Sequence, residues 1–131
     1  MKEEIMERFN NDKGFINSNG FKLTELDEEH AKMEYIIKKD GLNPIEIVHG
    51  GLLFGLADTV AGALASMSGK FPLTTSSTIN YLSQAKGNKL YAVAKKLKQG
   101  NNLGYYEVLI YNDNDEIICE STINMYFIKA K

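Results

Sequence analysis

Between Glu46 and Lys70 the chain carries one acidic residue, Asp58, and no lysine or arginine. A lone carboxylate in so apolar a segment is expensive to bury unless something stabilises its charge. Perturbed acids of this kind concentrate at functional sites. Upstream lies His49-Gly50-Gly51, where a helix is predicted to begin. There the Gly50 N–H has no intrahelical partner, and the helix dipole adds positive potential. Such helix starts hold anions, and glycine leaves room for a ligand to approach the backbone. Gly50 can therefore stabilise negative charge, while Asp58 can serve as nucleophile or general base. Bland alternatives stand beside both: a tight glycine contact with a strand, and an aspartate held by neighbouring hydroxyls for structure alone.

Gly50 and Asp58 are eight residues apart, roughly 12 Å along a helix axis. An aspartate side chain is too short to bring both onto one carbonyl group. If both act, they come from different protomers with helices side by side, in a dimer with two equivalent sites. Asn43 is held out of helical angles by Pro44 and lies near the helix start, where its amide can bond water or a carbonyl, or simply cap the loop. Thr74, Ser76, Thr78 and Asn80 share one face of a predicted strand, so a polar face is a firmer inference than any single hydroxyl. His49 orients the loop around Asn43 rather than acting as a base. Phe54, Tyr81, Met67 and Phe71 either shape a pocket or belong to the plain core. No His or Cys pair has metal-ligand spacing, and no glycine-rich phosphate loop is present.

The elements that position these residues follow from periodicity. A short amphipathic helix spans 2–11, with Ile5, Met6 and Phe9 on one side. Period-two alternation marks strands at 21–26 and 31–38, joined by a turn that includes a solvated His30. Leu52, Leu53, Leu56, Ala57, Val60, Ala61, Leu64 and Ala65 recur at helical spacing. Gly55 and Gly62 let neighbouring backbone come close, and Ser68-Gly69-Lys70-Phe71-Pro72 ends the helix. Strands follow at 73–85, 90–98, 103–111 and 116–128, with turns at Gln99-Gly100-Asn101-Asn102 and Asn112-Asp113-Asn114-Asp115. Short hairpins make the sheet largely antiparallel. The class is α+β: about six strands wrapped around one long central helix, plus a short N-terminal helix. A helix so apolar needs cover on its remaining side, which a second copy supplies.

Composition bounds the rest. The chain has 131 residues, 44% apolar and 24% charged, with a net charge of -2. One domain is expected over 1–131, with 1–13 as the N-terminal helix and 14–131 as the core. Neither nucleic acid nor an anionic membrane is indicated as partner. The longest apolar run, 52–67, is too short for a typical membrane span. The charged N-terminus lacks a signal-peptide pattern, and the single Cys119 suits a reducing compartment, so a cytoplasmic location is expected.

His49-Gly50-Gly51, Leu56-Ala57-Asp58, Ala61, Ala65 and the upstream Asn43, in this order of elements, resemble the hotdog-fold thioesterases, in particular the phenylacetate-pathway (PaaI-like) acyl-CoA thioesterases. The resemblance covers about 15–128. It implies a hotdog fold and hydrolysis of an acyl- or aryl-acyl-CoA thioester without a cofactor or metal. Gly50 N–H would polarise the carbonyl, Asp58 would be nucleophile or general base, and Asn43 and Ser76 would assist. His49, Gly51, Phe54 and Tyr81 would line the substrate site of a homodimer, itself one half of a homotetramer. Relatives often carry an arginine after the glycine of the turn that here reads Gly100-Asn101. Lys98, or its neighbours Lys95 and Lys96, would have to supply that phosphate contact. Two other functions fit the fold: a non-hydrolytic acyl-CoA or fatty-acyl binding module, and a dehydratase or hydratase. Retention of Asp58 argues against the first. The second wants a histidine–acid motif that is absent.

Overall fold

A computed structural model describes residues 1–129; the last two positions of the expected core lie outside the described residues. In chain order the elements are α1 (Lys2–Asn10), α2 (Phe15–Ser18), β1 (Phe21–Leu26), β2 (His30–Ile36), a 3-10 turn (Lys39–Gly41), α3 (Gly50–Ala65), a second 3-10 turn (Ser66–Ser68), β3 (Phe71–Tyr81), β4 (Lys89–Gln99), β5 (Leu103–Asn112) and β6 (Ile117–Ile128). The six strands form one sheet in the order β1-β2-β4-β5-β6-β3, and every neighbouring pair is antiparallel. The chain leaves the β2 side, crosses the sheet as α3, and begins β3 at the far edge. It then returns beside β2 with β4.

The sheet can wrap α3 because each strand turns alternate side chains inward. Leu90, Ala92 and Ala94 of β4, Tyr106, Val108 and Ile110 of β5, and Ile123 and Met125 of β6 are buried. On the helix, Leu53, Leu56, Ala57, Val60, Ala61, Ala63, Leu64 and Ala65 are buried as well. Alanines on both partners let the helix lie close to the sheet. Full burial of a leucine such as Leu56 stabilises by about 1.5–3 kcal/mol. Gly50–Ser68 is long and apolar enough to cross a membrane by length and composition, which corrects the expectation from the shorter run. It is the core helix of this sheet.

The two sheet edges are treated differently. At β1 the Asn10 side chain imitates a strand: its Nδ2 donates to the Leu23 carbonyl (2.9 Å) and its Oδ1 accepts from the Leu23 N–H (2.8 Å). The β3 edge has no such cover among the described residues. An open edge strand is a template for pairing with another chain.

Several features depart from the pattern read in sequence. α2 and the first 3-10 turn are too short to show a period. β3 stops at Tyr81 instead of Ala85, because Leu82 and Ser83 N–H groups both turn to the Ile118 carbonyl and the Ala85 carbonyl accepts from Val48 N–H. The register of β3 against β6 shifts between Thr74 and Ser76. A second shift separates Lys96 from Lys98 in β4.

Candidate active site

α3 begins where the sequence places it, and His49 sets its start. His49 is extended (φ -60°, ψ 136°) and its Nδ1 accepts from Gly51 N–H at 2.8 Å. The imidazole therefore serves as the helix cap, one of the backbone donors at the N-terminus is satisfied, and Gly51 N–H is not free for a ligand. His49 N–H donates to the Gly41 carbonyl at 2.9 Å, which ties the helix start to the preceding loop. Gly50 N–H has no partner among the described residues. The Gly50 carbonyl accepts from the Tyr81 hydroxyl at 3.0 Å. Burial raises the Tyr81 phenol above its usual range, so it stays a neutral donor. Tyr81 lies against Gly50: a Cβ there would sit 3.4 Å from the ring.

Asn43 lies at the mouth of the same loop. Its Oδ1 accepts from Ile45 N–H (3.0 Å) and Ile47 N–H (3.3 Å), an Asx-type arrangement that stiffens the approach to the helix. The capping role is thus present, and the Nδ2 donor is left for another partner.

Two turns along α3 stands Asp58. It is half-buried in the protomer, not sealed in the core as its apolar surroundings suggested. The Thr74 hydroxyl donates to Asp58 Oδ1 at 2.5 Å. One carboxylate oxygen is thereby fixed and the other kept available. Phe54, half-buried, comes four residues after Gly50 and four before Asp58, on the same side of the helix.

The bulge decides which hydroxyl meets the acid. Thr74 and Ser76 were expected on one face with Thr78 and Asn80. The register shift between them breaks that alternation, because one extra residue moves every following side chain to the other side. Thr74 faces the helix and Ser76 faces away, accepting from Asn124 Nδ2 at 3.0 Å. Ser76 was expected beside the acid; the hydroxyl that bonds Asp58 is that of Thr74. Lys98 joins Ser76 on the outward face. Ser76 pairs with Asn124, Asn124 with Tyr105, and Tyr105 with Lys98. Within one protomer Lys98 is therefore at the opposite end of the sheet from Tyr81 and Gly50. If Asp58 acts as the resemblance implies, Thr74→Val lowers kcat about tenfold by releasing the carboxylate, and Ser76→Ala stays within about twofold of wild type. Steady-state kinetics of the two variants checks this.

Sequence reasoning passed over Phe15. Its ring lies over Gly55 of α3, where a Cβ would fall 2.9 Å from the Phe15 Cζ. Neighbouring backbone was expected at Gly55; the neighbour is a side chain. Cys119 is buried and its thiol is pushed up to about 11 by that burial, so it is inert. Among the described residues no group of three or more His, Cys, Asp or Glu side chains is placed to hold a metal ion.

With this geometry in hand, known proteins supply context. The family model described as "Thioesterase superfamily" matches residues 46–119. A "putative esterase" of Archaeoglobus fulgidus is 36% identical over 95% of this chain and 84% of its own length. The acyl-coenzyme A thioesterase PaaI of Escherichia coli is 29% identical over 76% of this chain and 71% of its own. The structure of the E. coli PaaI protein from the phenylacetic acid degradation operon superposes with a TM-score of 0.93 at 22% identity, covering 99% of this chain and 95% of that one. This shows the fold, which is the hotdog fold. A hypothetical thioesterase of Streptococcus pneumoniae, solved with coenzyme A, superposes with a TM-score of 0.80 at 25% identity over 85% of this chain and 88% of that one.

Proposed function

The chain belongs to the thioesterase superfamily and is a thioester hydrolase, and from that premise we propose that it hydrolyses acyl- or aryl-acyl-CoA with Asp58 and the Gly50 N–H as its working groups. The observation that carries this reading is the Thr74–Asp58 hydrogen bond. It orients a carboxylate on the same helix whose first N–H is free. Similarity to an acyl-CoA thioesterase and to a thioesterase that binds coenzyme A supports the choice of thiol.

In the reaction the thioester carbonyl oxygen sits at the Gly50 N–H. Negative charge grows on that oxygen as the carbon is attacked, and the helix-start donor stabilises it most at that moment. Asp58 delivers the oxygen, its own or that of a water whose proton it takes. Collapse of the tetrahedral intermediate breaks the carbon–sulfur bond and expels the CoA thiolate, which is protonated. Along the water route the acid is released and Asp58 returns to its carboxylate form. Along the direct route water cleaves the acyl–aspartyl anhydride first.

The site is shared between two protomers in this reading. Tyr81 touches Gly50 and Thr74 touches Asp58, and both lie on the open edge strand β3. They are seven residues apart, roughly 23 Å along a strand. Two β3 strands paired antiparallel about a two-fold axis near Ser77 would set Tyr81 of one chain beside Thr74 of its partner. The Gly50 N–H of one protomer then meets the Asp58 of the other. A further apolar cluster, Phe71, Leu73, Leu103, Tyr126 and Ile128, remains exposed at one end of the sheet. It supports association of two such dimers into a tetramer. Asn43 assists the substrate or the attacking water through its free amide N–H, Phe54 flanks the reacting groups, and Lys98 meets the CoA phosphates from the partner's end of the sheet.

The test is a panel of acyl- and aryl-acyl-CoAs, with release of free thiol followed over time. Turnover with a kcat/KM of at least about 10⁴ M⁻¹s⁻¹ on some member is expected. Binding of the whole panel without thiol release would contradict the reading.

A further inference from the structure

We propose that Phe15 is a specificity-determining residue: its ring closes one wall of a small cavity beside the start of α3 and limits the size of the acyl group. This rests on the acyl-CoA reading above.

The cavity measures about 310 Å³ and is lined by Phe15, Gly41, Leu42, His49, Gly51 and Leu52, with Asn19 and Asp40 also on its wall. Such a volume is at the small end of ligand sites. It begins at His49 and Gly51, the residues on either side of Gly50. A carbonyl oxygen held at the Gly50 N–H therefore leaves its acyl chain next to an apolar hollow.

The wall is built, not incidental. Asp12 Oδ2 accepts from Gly14 N–H (2.9 Å) and Ile16 N–H (3.2 Å), which fixes the turn that presents Phe15. The Phe15 ring meets Phe21 edge-on at 5.9 Å, and Phe21 meets the buried Tyr35 edge-on at 5.8 Å. On its other side the ring rests on Gly55, where any side chain would collide with it. Yet Phe15 remains 56% exposed. A broad part of the ring surface is therefore free in the single chain to meet a ligand. Beyond it along α3 come Asp58 and Thr59, both partly exposed. Removal of the ring joins the cavity to that open helix face. With the ring in place, short-chain and aryl-acyl groups fit and longer chains meet the wall.

The experiment compares kcat/KM across the straight-chain series from butanoyl- to dodecanoyl-CoA, plus phenylacetyl-CoA, for wild type, Phe15→Ala, Phe15→Leu and Phe15→Trp. Each additional methylene buried is worth about fourfold. Phe15→Ala is expected to raise longer chains against butanoyl-CoA by roughly tenfold or more, Phe15→Leu to do so by less, and Phe15→Trp to lower them. Thermal unfolding accompanies each variant. If Phe15→Ala loses its fold, the opposite shifts of Leu and Trp still decide the matter. One unchanged chain-length profile, merely scaled down in every variant, would overturn the inference and leave the acyl-CoA reading intact. No turnover of any acyl-CoA by wild type would overturn both.

Discussion

Asp58→Asn lowers kcat for acyl-CoA hydrolysis by about a thousandfold, with folding and substrate affinity close to wild type. The size follows from what asparagine removes. It keeps the shape, and its amide can still meet the Thr74 hydroxyl that now bonds Asp58 Oδ1. It has no negative charge and cannot accept a proton at neutral pH or attack a carbonyl carbon. General-base catalysis contributes about 10²–10⁴ in rate, and covalent catalysis fails outright without the nucleophile. A thousandfold loss corresponds to about 4 kcal/mol of transition-state stabilisation. Asp58 is half-buried and asparagine keeps its shape, so thermal stability should hold steady. The measurement is kcat and KM by thiol release, with thermal unfolding on the same preparation. A variant with full activity would remove Asp58 from the mechanism.

Gly50→Pro lowers kcat by about 10²–10³ and leaves the helix in place. Proline takes away the one atom that matters, the amide hydrogen. At the first position of a helix it is well tolerated, because that N–H has no intrahelical partner. The residue before proline must be extended, and His49 already is, with ψ 136°. A Cβ at this position meets the Tyr81 ring at 3.4 Å, which leaves room with a small adjustment of that ring. Loss of one donor to a developing oxyanion is worth about 10²–10³ in kcat. Gly50→Ala keeps the N–H and is the control, expected within about tenfold of wild type. Equal losses in the Ala and Pro variants would assign the effect to crowding against Tyr81 instead.

How much of this was legible in the sequence depends on the kind of signal. The long helix was legible because eight apolar residues recur at its period, and the strands because theirs alternate. Gly50 and Asp58 stood out by type: a glycine at a helix start, and one carboxylate in an apolar run. The fold position of Asn43 followed from Pro44. Which hydroxyl bonds Asp58 was not legible. Five hydroxyl residues run from Thr74 to Thr78, and a bulge among them leaves no mark in a period-two pattern. The cap that His49 places on Gly51 N–H depends on a side-chain rotamer that spacing does not encode. Phe15 lay unnoticed because its contact with Gly55 is long-range and α2 is a single turn. The half-exposure of Asp58 was missed for a related reason: an apolar run indicates burial along its whole length, while the open edge at β3 leaves this side of the helix uncovered in the protomer.

A site built from two protomers, as proposed, makes one demand that a single-protomer site does not. Chains carrying Asp58→Asn and chains carrying Gly50→Pro, co-expressed with different tags, can be purified as mixed dimers. In each mixed dimer one site holds both lesions and the other holds neither. About half of the wild-type activity per dimer is expected, from two variants that are each nearly inactive alone. Mixed dimers no more active than either parent would contradict a site built from Gly50 of one protomer and Asp58 of its partner.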